Sequence, residues 1–322
     1  MKNIDIAFVV LHYMNSDTTE KAVEHILSNC DTSNMAIIVV DNASTNNSFD
    51  ILTEKYSSNS SVILLRNQTN LGFACGNNVG FRYAKENYHP RYIILLNSDA
   101  YLTEKNLLQK LDEEYNSSHF YVAGPMIYGN DGNNTTNPWG KEVINTKICK
   151  YTLKKANTDL FFSRLHLYKL LCIYRRQHTP FSRKKAPKGY PLPINPADGQ
   201  NLHLYKNYNL SLHGSCFIFS EEFIKDYDGL DSRTFLYDEE SLLHLQMLMD
   251  GRKMVYMPEI SILHVGSASS SYECDENSKR INCCKYSIQS TKIILSEIKK
   301  FKKAHGGKEP GEVVMERMSK GL

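Results

Sequence analysis

The sequence predicts an α/β protein on a doubly wound, mainly parallel sheet, with a basic helical region inserted in it and a C-terminal helix. Three observations predict this. Apolar runs of strand length alternate with helix-periodic segments through the first hundred residues. Acidic or amide-rich turns follow the second and fourth of those runs. From about Asn130 to Lys206 the alternation dissolves into polar, proline-containing, basic sequence.

Ile4–Tyr13 reads as a buried first strand; Asp5 interrupts its apolar run and no small-residue cleavage site follows, which argues against a signal peptide. Asp17-Thr-Thr-Glu20 resembles a capping box, and Ala22, Val23, Ile26 and Leu27 follow at helical spacing. Ala36–Val40 is the second strand, ending in Asp41-Asn-Ala-Ser44. A helix over Phe49–Tyr56 and a strand over Val62–Leu65 come next. The glycine-rich stretch Asn70–Gly80 leads into a helix to about Asn87, and Tyr92–Leu96 is the fourth strand, ending at Asn97-Ser98-Asp99. Beyond the insertion, where Leu160–Tyr174 fits one amphipathic helix, Leu210–Phe219 is strand-like around His213-Gly214-Ser215. A helix over Glu239–Asp250 is stopped by Gly251. Short strands at Met254–Met257 and Ile260–His264 precede a helix over Lys279–Lys303, and the tail from Gly306 is expected to be loosely ordered. The domain division expected is 1–270, with halves of about 1–129 and 207–270 around an insertion of about 130–206, and then 271–322.

With 41% hydrophobic and 23% charged residues, the composition excludes a disordered chain, and no apolar run is long enough to span a bilayer. The eight cysteines form no CxxC pair, which argues against zinc and for reduced thiols in the cytosol. The Asn-x-Ser/Thr triplets carry no message in an asparagine-rich chain without an export signal. Between Lys141 and Lys188, thirteen Lys or Arg face only Glu142 and Asp159, a net +11, so the rest of the chain carries about −8 of the overall +3. Such asymmetry points to a negatively charged partner.

In doubly wound sheets ligands bind beyond the carboxyl ends of the strands, where Asp41 and Asp99 fall. A carboxylate there can hold a hard divalent cation under a diphosphate; Asp99 can equally cap the helix that follows it. Asp238, Glu239 and Glu240 suit the positive end of a helix, and crowded acids also raise one another's pKa, as a general base requires. His264, at a strand end, suits a metal, a phosphate or a structural hydrogen bond. Gly72, Gly76 and Gly80 make neither a GxGxxG nor a P-loop and fit tight turns and the start of a helix.

Taken in order, Val-Val-x-x-Tyr13, Val-Asp41-Asn-Ala-Ser, Asn70-x-Gly-Phe…Gly-Asn-Asn78-x-Gly, Leu-Asn-Ser-Asp99, His213-Gly-Ser-Cys, Thr-Phe-Leu-Tyr-x-Glu-Glu240 and His264…Ser-x-Ser resemble the family 2 glycosyltransferases of GT-A fold. The resemblance is strongest to bacterial members that build capsular polysaccharide, O-antigen and exopolysaccharide. It implies that Tyr13 and Asp41 meet the nucleoside and that Asn70 and Asn78 close over the nucleotide. It puts Asn97, Ser98, Gly214 and Ser215 along the nucleotide-sugar. Asp99, helped by His264, would hold Mn2+ or Mg2+, and Glu240 would be the base that deprotonates the acceptor hydroxyl, with Glu239 as the reserve choice. Three departures stand out: Asn97 replaces the first Asp of the DxD motif, the base is Glu rather than Asp, and Val265 occupies a position that is often Lys.

The resemblance further implies an inverting transfer from a UDP- or dTDP-sugar to a saccharide acceptor, with an undecaprenyl-diphosphate-linked one as a candidate, on the cytoplasmic side of the membrane. The Lys141–Lys188 segment, with Phe161, Leu165 and Leu170 among its cations, suits either peripheral contact with an anionic membrane or a subdomain over the acceptor cleft. No motif supports nucleic-acid binding. A nucleotidyltransferase would need a glycine-rich, cationic loop after the first strand, which His12–Thr19 lacks. A catalytically silent sugar- or nucleotide-binding scaffold is the remaining alternative.

Overall fold

The computed structural model describes residues 2–129, 135–178, 186–192, 202–266 and 275–320. Its frame is a run of parallel strands, β1 (Lys2–His12), β2 (Met35–Asp41), β3 (Val62–Arg66) and β4 (Tyr88–Asn97), joined by helices α1 (Ser16–Asn29), α2 (Ser48–Tyr56) and α3 (Gly72–Asn87). β1 is apolar on both faces, as a strand covered from both sides must be. Ile6, Phe8 and Val10 join one core, and Ile4, Ala7 and Val9 the other.

Next come β5 (Ala100–Leu102), α4 (Leu107–Ser118) and β6 (Val122–Tyr128). The insertion adds β7 (Glu142–Val143), α5 (Thr146–Arg164), α6 (Tyr168–His178) and β8 (Tyr190–Pro191), and β9 (Asn207–Tyr208), β10 (Cys216–Ser220), α7 (Glu221–Asp226), α8 (Glu239–Met249) and β11 (Met254–His264) follow. The large sheet runs β3-β2-β1-β4-β10-β6-β11-β5, with β9 beside β11. β10 is antiparallel to β4 and β6, while β6 and β11 are parallel. α9 (Glu276–Ala304) and α10 (Pro310–Ser319) close the chain and share a third core with α8 and the insertion, through Cys149, Leu242, Leu245, Ile294, Ile298 and Val314.

The mainly parallel α/β sheet, the helical insertion and the C-terminal helix agree with the sequence expectation. Several boundaries do not. The helix expected over Leu160–Tyr174 is broken: α5 stops at Arg164, His166 turns left-handed (φ 56°), and α6 begins at Tyr168. Leu210–Phe219 is interrupted at His213-Gly214-Ser215 as expected, but only its second part is strand, β10 from Cys216; before the interruption Ser211 makes an isolated bridge to Gly140 of the insertion. The two short strands after Gly251 are one, with a register shift between Met257 and Ser261. The tail is not loose: Glu309 and Glu312 form a capping box around Pro310, and α10 buries Val313 and Val314. The expected boundary at residue 270 lies outside the described residues, as does the Ser-x-Ser beyond His264. No helix among the described residues is long and apolar enough to cross a membrane.

Candidate active site

Strand register gathers the site along one sheet edge. β1 pairs His12 with Asp41 on one side and Leu11 with Asn97 on the other, which levels the ends of β2 and β4. β10 runs antiparallel to β4, so its leading turn returns to that edge, where the Asn97 N–H donates to the Ser215 carbonyl (2.9 Å). β5 runs antiparallel to β11 with Ala100 opposite His264, and the Val265 N–H donates to the Asp99 carbonyl (3.0 Å).

At the nucleoside end, Asp41 is fully buried. Its carboxylate accepts the Ser44 N–H (3.1 Å) and pairs with Arg66 Nε (3.1 Å). Arg66, which sequence reasoning passed over, is half-exposed and neutralises this buried carboxylate. Tyr13 is half-buried in the loop after β1, where its carbonyl accepts the Asn15 N–H (2.9 Å). Asn42 clamps the next turn: its amide donates to Asn70 Oδ1 (3.0 Å) and the Gly72 carbonyl (3.1 Å) and accepts the Leu71 N–H (3.0 Å).

The three glycines of α3 are a packing device. Gly72 has φ 79° and its α-carbon lies against the Phe235 carbonyl; a β-carbon on Gly76 would lie 2.7 Å from Leu11, and one on Gly80 would collide with Val9. Gly76 and Gly80, four apart, keep one helix face on the sheet, while Gly72 lets the segment before α8 approach the start of α3. Asn78 stands apart from the sheet edge. Its amide donates to the Leu230 carbonyl (2.7 Å) and accepts the Leu230 N–H (2.8 Å), which ties α3 to the segment leading to the acidic cluster. The structure thus places Asn78 in a clamp rather than in the loop over the nucleotide.

Asp99 Oδ1 lies 3.2 Å from His264 Nε2, and both side chains are largely buried. Two ligands at right angles on a cation with bonds of about 2.1 Å stand about 3 Å apart, so the pair fits adjacent positions on Mn2+ or Mg2+. No group of three His, Cys, Asp or Glu among the described residues could hold a metal. Two protein donors would leave the other positions to a diphosphate. The His213 ring packs 5.6 Å from that of His264, and its Nδ1 accepts the Ser215 N–H (3.1 Å). Burial, with His264 behind it, pushes the His213 pKa down to about 4, against the pull of Asp99. Ser98 is half-buried in the turn between β4 and β5.

Glu239 and Glu240 open α8, after Tyr237 (φ 72°) and Asp238 (φ 67°), two consecutive left-handed residues of a kind that collects at functional sites. Burial pushes Glu239 up to about 7, with the Glu240 charge adding to it. Burial also raises Glu240, with Asp238 adding, while a hydrogen bond from the Gly214 backbone opposes the rise. Glu240 therefore meets Gly214 in the turn that Asn97 and Ser215 share. Asp99, His264, His213, Gly214, Ser215 and Glu240 form one rim.

The fold is that of the GT-A class. The chain belongs to glycosyl transferase family 2, whose model matches residues 7–179. Among solved structures, GalNAc-T7 with UDP, GalNAc and Mn2+ superposes with a TM-score of 0.57 at 14% identity, over 98% of this chain and 57% of that one. The S. aureus TarS fragment 1–349 reaches a TM-score of 0.49 at 13% identity, over 91% and 73% of the two chains. A search of curated protein sequences finds no match.

Proposed function

We propose that this protein is an inverting glycosyltransferase that moves a sugar from a nucleoside-diphosphate sugar to a hydroxyl of a saccharide or lipid-linked saccharide acceptor, in surface polysaccharide synthesis. The observation that carries the reading is the contact of Glu240 with Gly214 on the rim that also holds Asp99 and His264. Residues of about 1–129 form the nucleotide half and those of about 207–270 the acceptor half.

Asp99 and His264 would hold Mn2+ or Mg2+, which when bound neutralises the charge that develops on the diphosphate leaving group. GalNAc-T7, of the same fold, is seen with UDP, GalNAc and Mn2+, which agrees with this donor class. Asn70 and the loop after β1, with Tyr13, bind the nucleoside, and Asp41 engages it. The backbone turn at Gly214 and Ser215 holds the donor sugar. Glu240, poised by burial above ordinary carboxylates, accepts the proton of the acceptor hydroxyl as that oxygen attacks the anomeric carbon. Attack opposite the leaving group inverts the configuration and needs no covalent intermediate.

Helices α5 and α6 and the turn between them expose Phe161, Leu165, Leu170 and Ile173, and also Lys154, Lys155, Arg164 and Lys169. Exposed apolar side chains on elements that also expose cations suit an anionic leaflet, each cation adding about 1 kcal/mol. Salt-sensitive binding to phosphatidylglycerol vesicles checks this contact.

The deciding experiment is a thermal-shift screen of UDP, dTDP, GDP and CDP with and without Mn2+, followed by donor hydrolysis. Metal-dependent stabilisation by one nucleotide, with hydrolysis of its sugar, is expected. Nucleotide binding without hydrolysis or transfer would instead identify a silent scaffold.

A further inference from the structure

Trp139 is the only tryptophan of the chain, and it is 57% exposed. A lone exposed apolar residue is ordinary; this one is set apart by where its ring lies and how its backbone is held. The indole stands edge-on to the His213 imidazole, with centroids 5.1 Å apart and planes at 74°. His213 in turn packs on His264 and directly precedes Gly214, against which the Glu240 carboxyl rests.

The backbone carrying the ring is fixed on both sides. The Trp139 N–H donates to the Ser211 carbonyl (2.8 Å), and the Ser211 N–H donates to the Gly140 carbonyl (2.9 Å). Buried Asn137 accepts the His213 N–H (2.9 Å) and donates to the Pro125 carbonyl (2.7 Å). A solvent-facing aromatic face on a pinned backbone gives up little conformational freedom on binding. The apolar C–H face of a pyranose matches such a surface, while its hydroxyls stay free for polar groups around it.

We propose that Trp139 is the stacking platform for the acceptor sugar, holding a pyranose so that one of its hydroxyls faces Glu240. The proposal rests on the glycosyltransferase reading and names the acceptor subsite of that same rim. The assignment to the acceptor rather than the nucleoside follows from position: the indole reaches the rim from the insertion at the His213 ring, one residue from the Gly214 against which the proposed base rests, whereas the nucleoside residues lie in the turns beyond the ends of β1, β2 and β3.

Because Trp139 is the sole indole, its fluorescence reports this subsite alone. Methyl β-D-glucopyranoside, methyl β-D-galactopyranoside and methyl α-L-rhamnopyranoside would be titrated into the full chain to about 100 mM, since one stacked sugar binds in the millimolar range. Quenching with a blue shift is expected for at least one. In saturation-transfer NMR, Trp139→Ala should lose that glycoside's ring-proton signal at least about fivefold and Trp139→Phe should keep most of it. A nucleotide-induced melting shift like that of wild type would show that Trp139→Ala is folded. Emission unmoved by every glycoside, or an undiminished signal in a folded Trp139→Ala, overturns the proposal. A blue shift with phosphatidylglycerol vesicles and none with glycosides also overturns it and assigns the indole to the membrane. Failure of every nucleotide to shift the melting point would overturn the glycosyltransferase reading instead, and the indole emission tells the two failures apart.

Discussion

A β-carbon on Gly214 would sit 2.5 Å from Oε1 of Glu240. Glycine at this turn lets the carboxyl close on the backbone from which it accepts a hydrogen bond, and this fixes the proposed base relative to His213 and Ser215. Gly214→Ala should therefore displace the carboxyl by a few tenths of an ångström or more. Misplacing a catalytic group by this order costs about ten- to a hundredfold in kcat. Steady-state transfer kinetics check this, with a nucleotide-induced melting shift like that of wild type, because the nucleoside residues lie away from this turn.

Glu240→Gln keeps the shape and hydrogen bonding of the side chain but cannot accept the proton. Transfer should fall about a hundred- to ten-thousandfold while nucleotide-induced stabilisation persists. In wild type, kcat/KM should rise with pH through the elevated Glu240 pKa, because only the ionised carboxylate is a base. Undiminished transfer by Glu240→Gln would remove the residue from the mechanism.

The Asp99–His264 pair predicts a different signature. Asp99→Ala and His264→Ala should each abolish the Mn2+-dependent part of the nucleotide melting shift and leave the metal-free melting point within a few degrees of wild type. An Mn2+-dependent shift that survives in both variants would place the metal elsewhere.

Much of this arrangement was legible in the sequence, because strand ends are. Asp41, Asn97 and Asp99 follow apolar runs, and a parallel sheet sends such ends to one edge. Contacts between distant segments were not. Nothing local in Asn78 announces that both its amide groups are used by Leu230, 152 residues on, and Arg66 pairs with Asp41 only because β3 lies beside β2. Trp139 and Asn137 sit in a stretch with no periodicity, so only the backbone bonds to Ser211 and His213 bring them to the rim. The break at Leu165–Leu167 hides in a continuous amphipathic pattern. β6 went unread, and the helix expected to begin near Thr103 starts at Leu107, behind Asn106 rather than Asp99.

The Asn78 clamp makes a stability prediction. Asn78→Ala would leave a buried N–H and a buried carbonyl of Leu230 without partners, at about 2–4 kcal/mol. Urea denaturation should show that loss, and Asn78→Asp should recover only the bond from the Leu230 N–H.

Helix α8 carries two buried groups whose titrations oppose one another. Glu239, pushed by burial to about 7 from an unfolded value near 4.5, binds a proton more tightly when folded. Between those values the folded state holds more protons, so this residue makes stability fall as pH rises. His244 is buried with Nε2 donating to the Asn209 carbonyl (2.8 Å), and burial depresses it to about 4 from 6.5. There the unfolded state holds more protons, so this residue makes stability rise with pH from about 4 to 6.5. Each shift of roughly 2.5 pH units is worth at most about 3 kcal/mol, so over their shared window the two largely cancel. Glu239→Gln removes one side of the balance. The variant should match wild type near pH 4 and exceed it in stability above pH 7, by up to about 3 kcal/mol, when the two are unfolded in urea across that range. An equal offset at both ends would show that Glu239 titrates alike in the folded and unfolded protein, and the rise of the carboxyl cluster would then belong to Glu240 and Asp238.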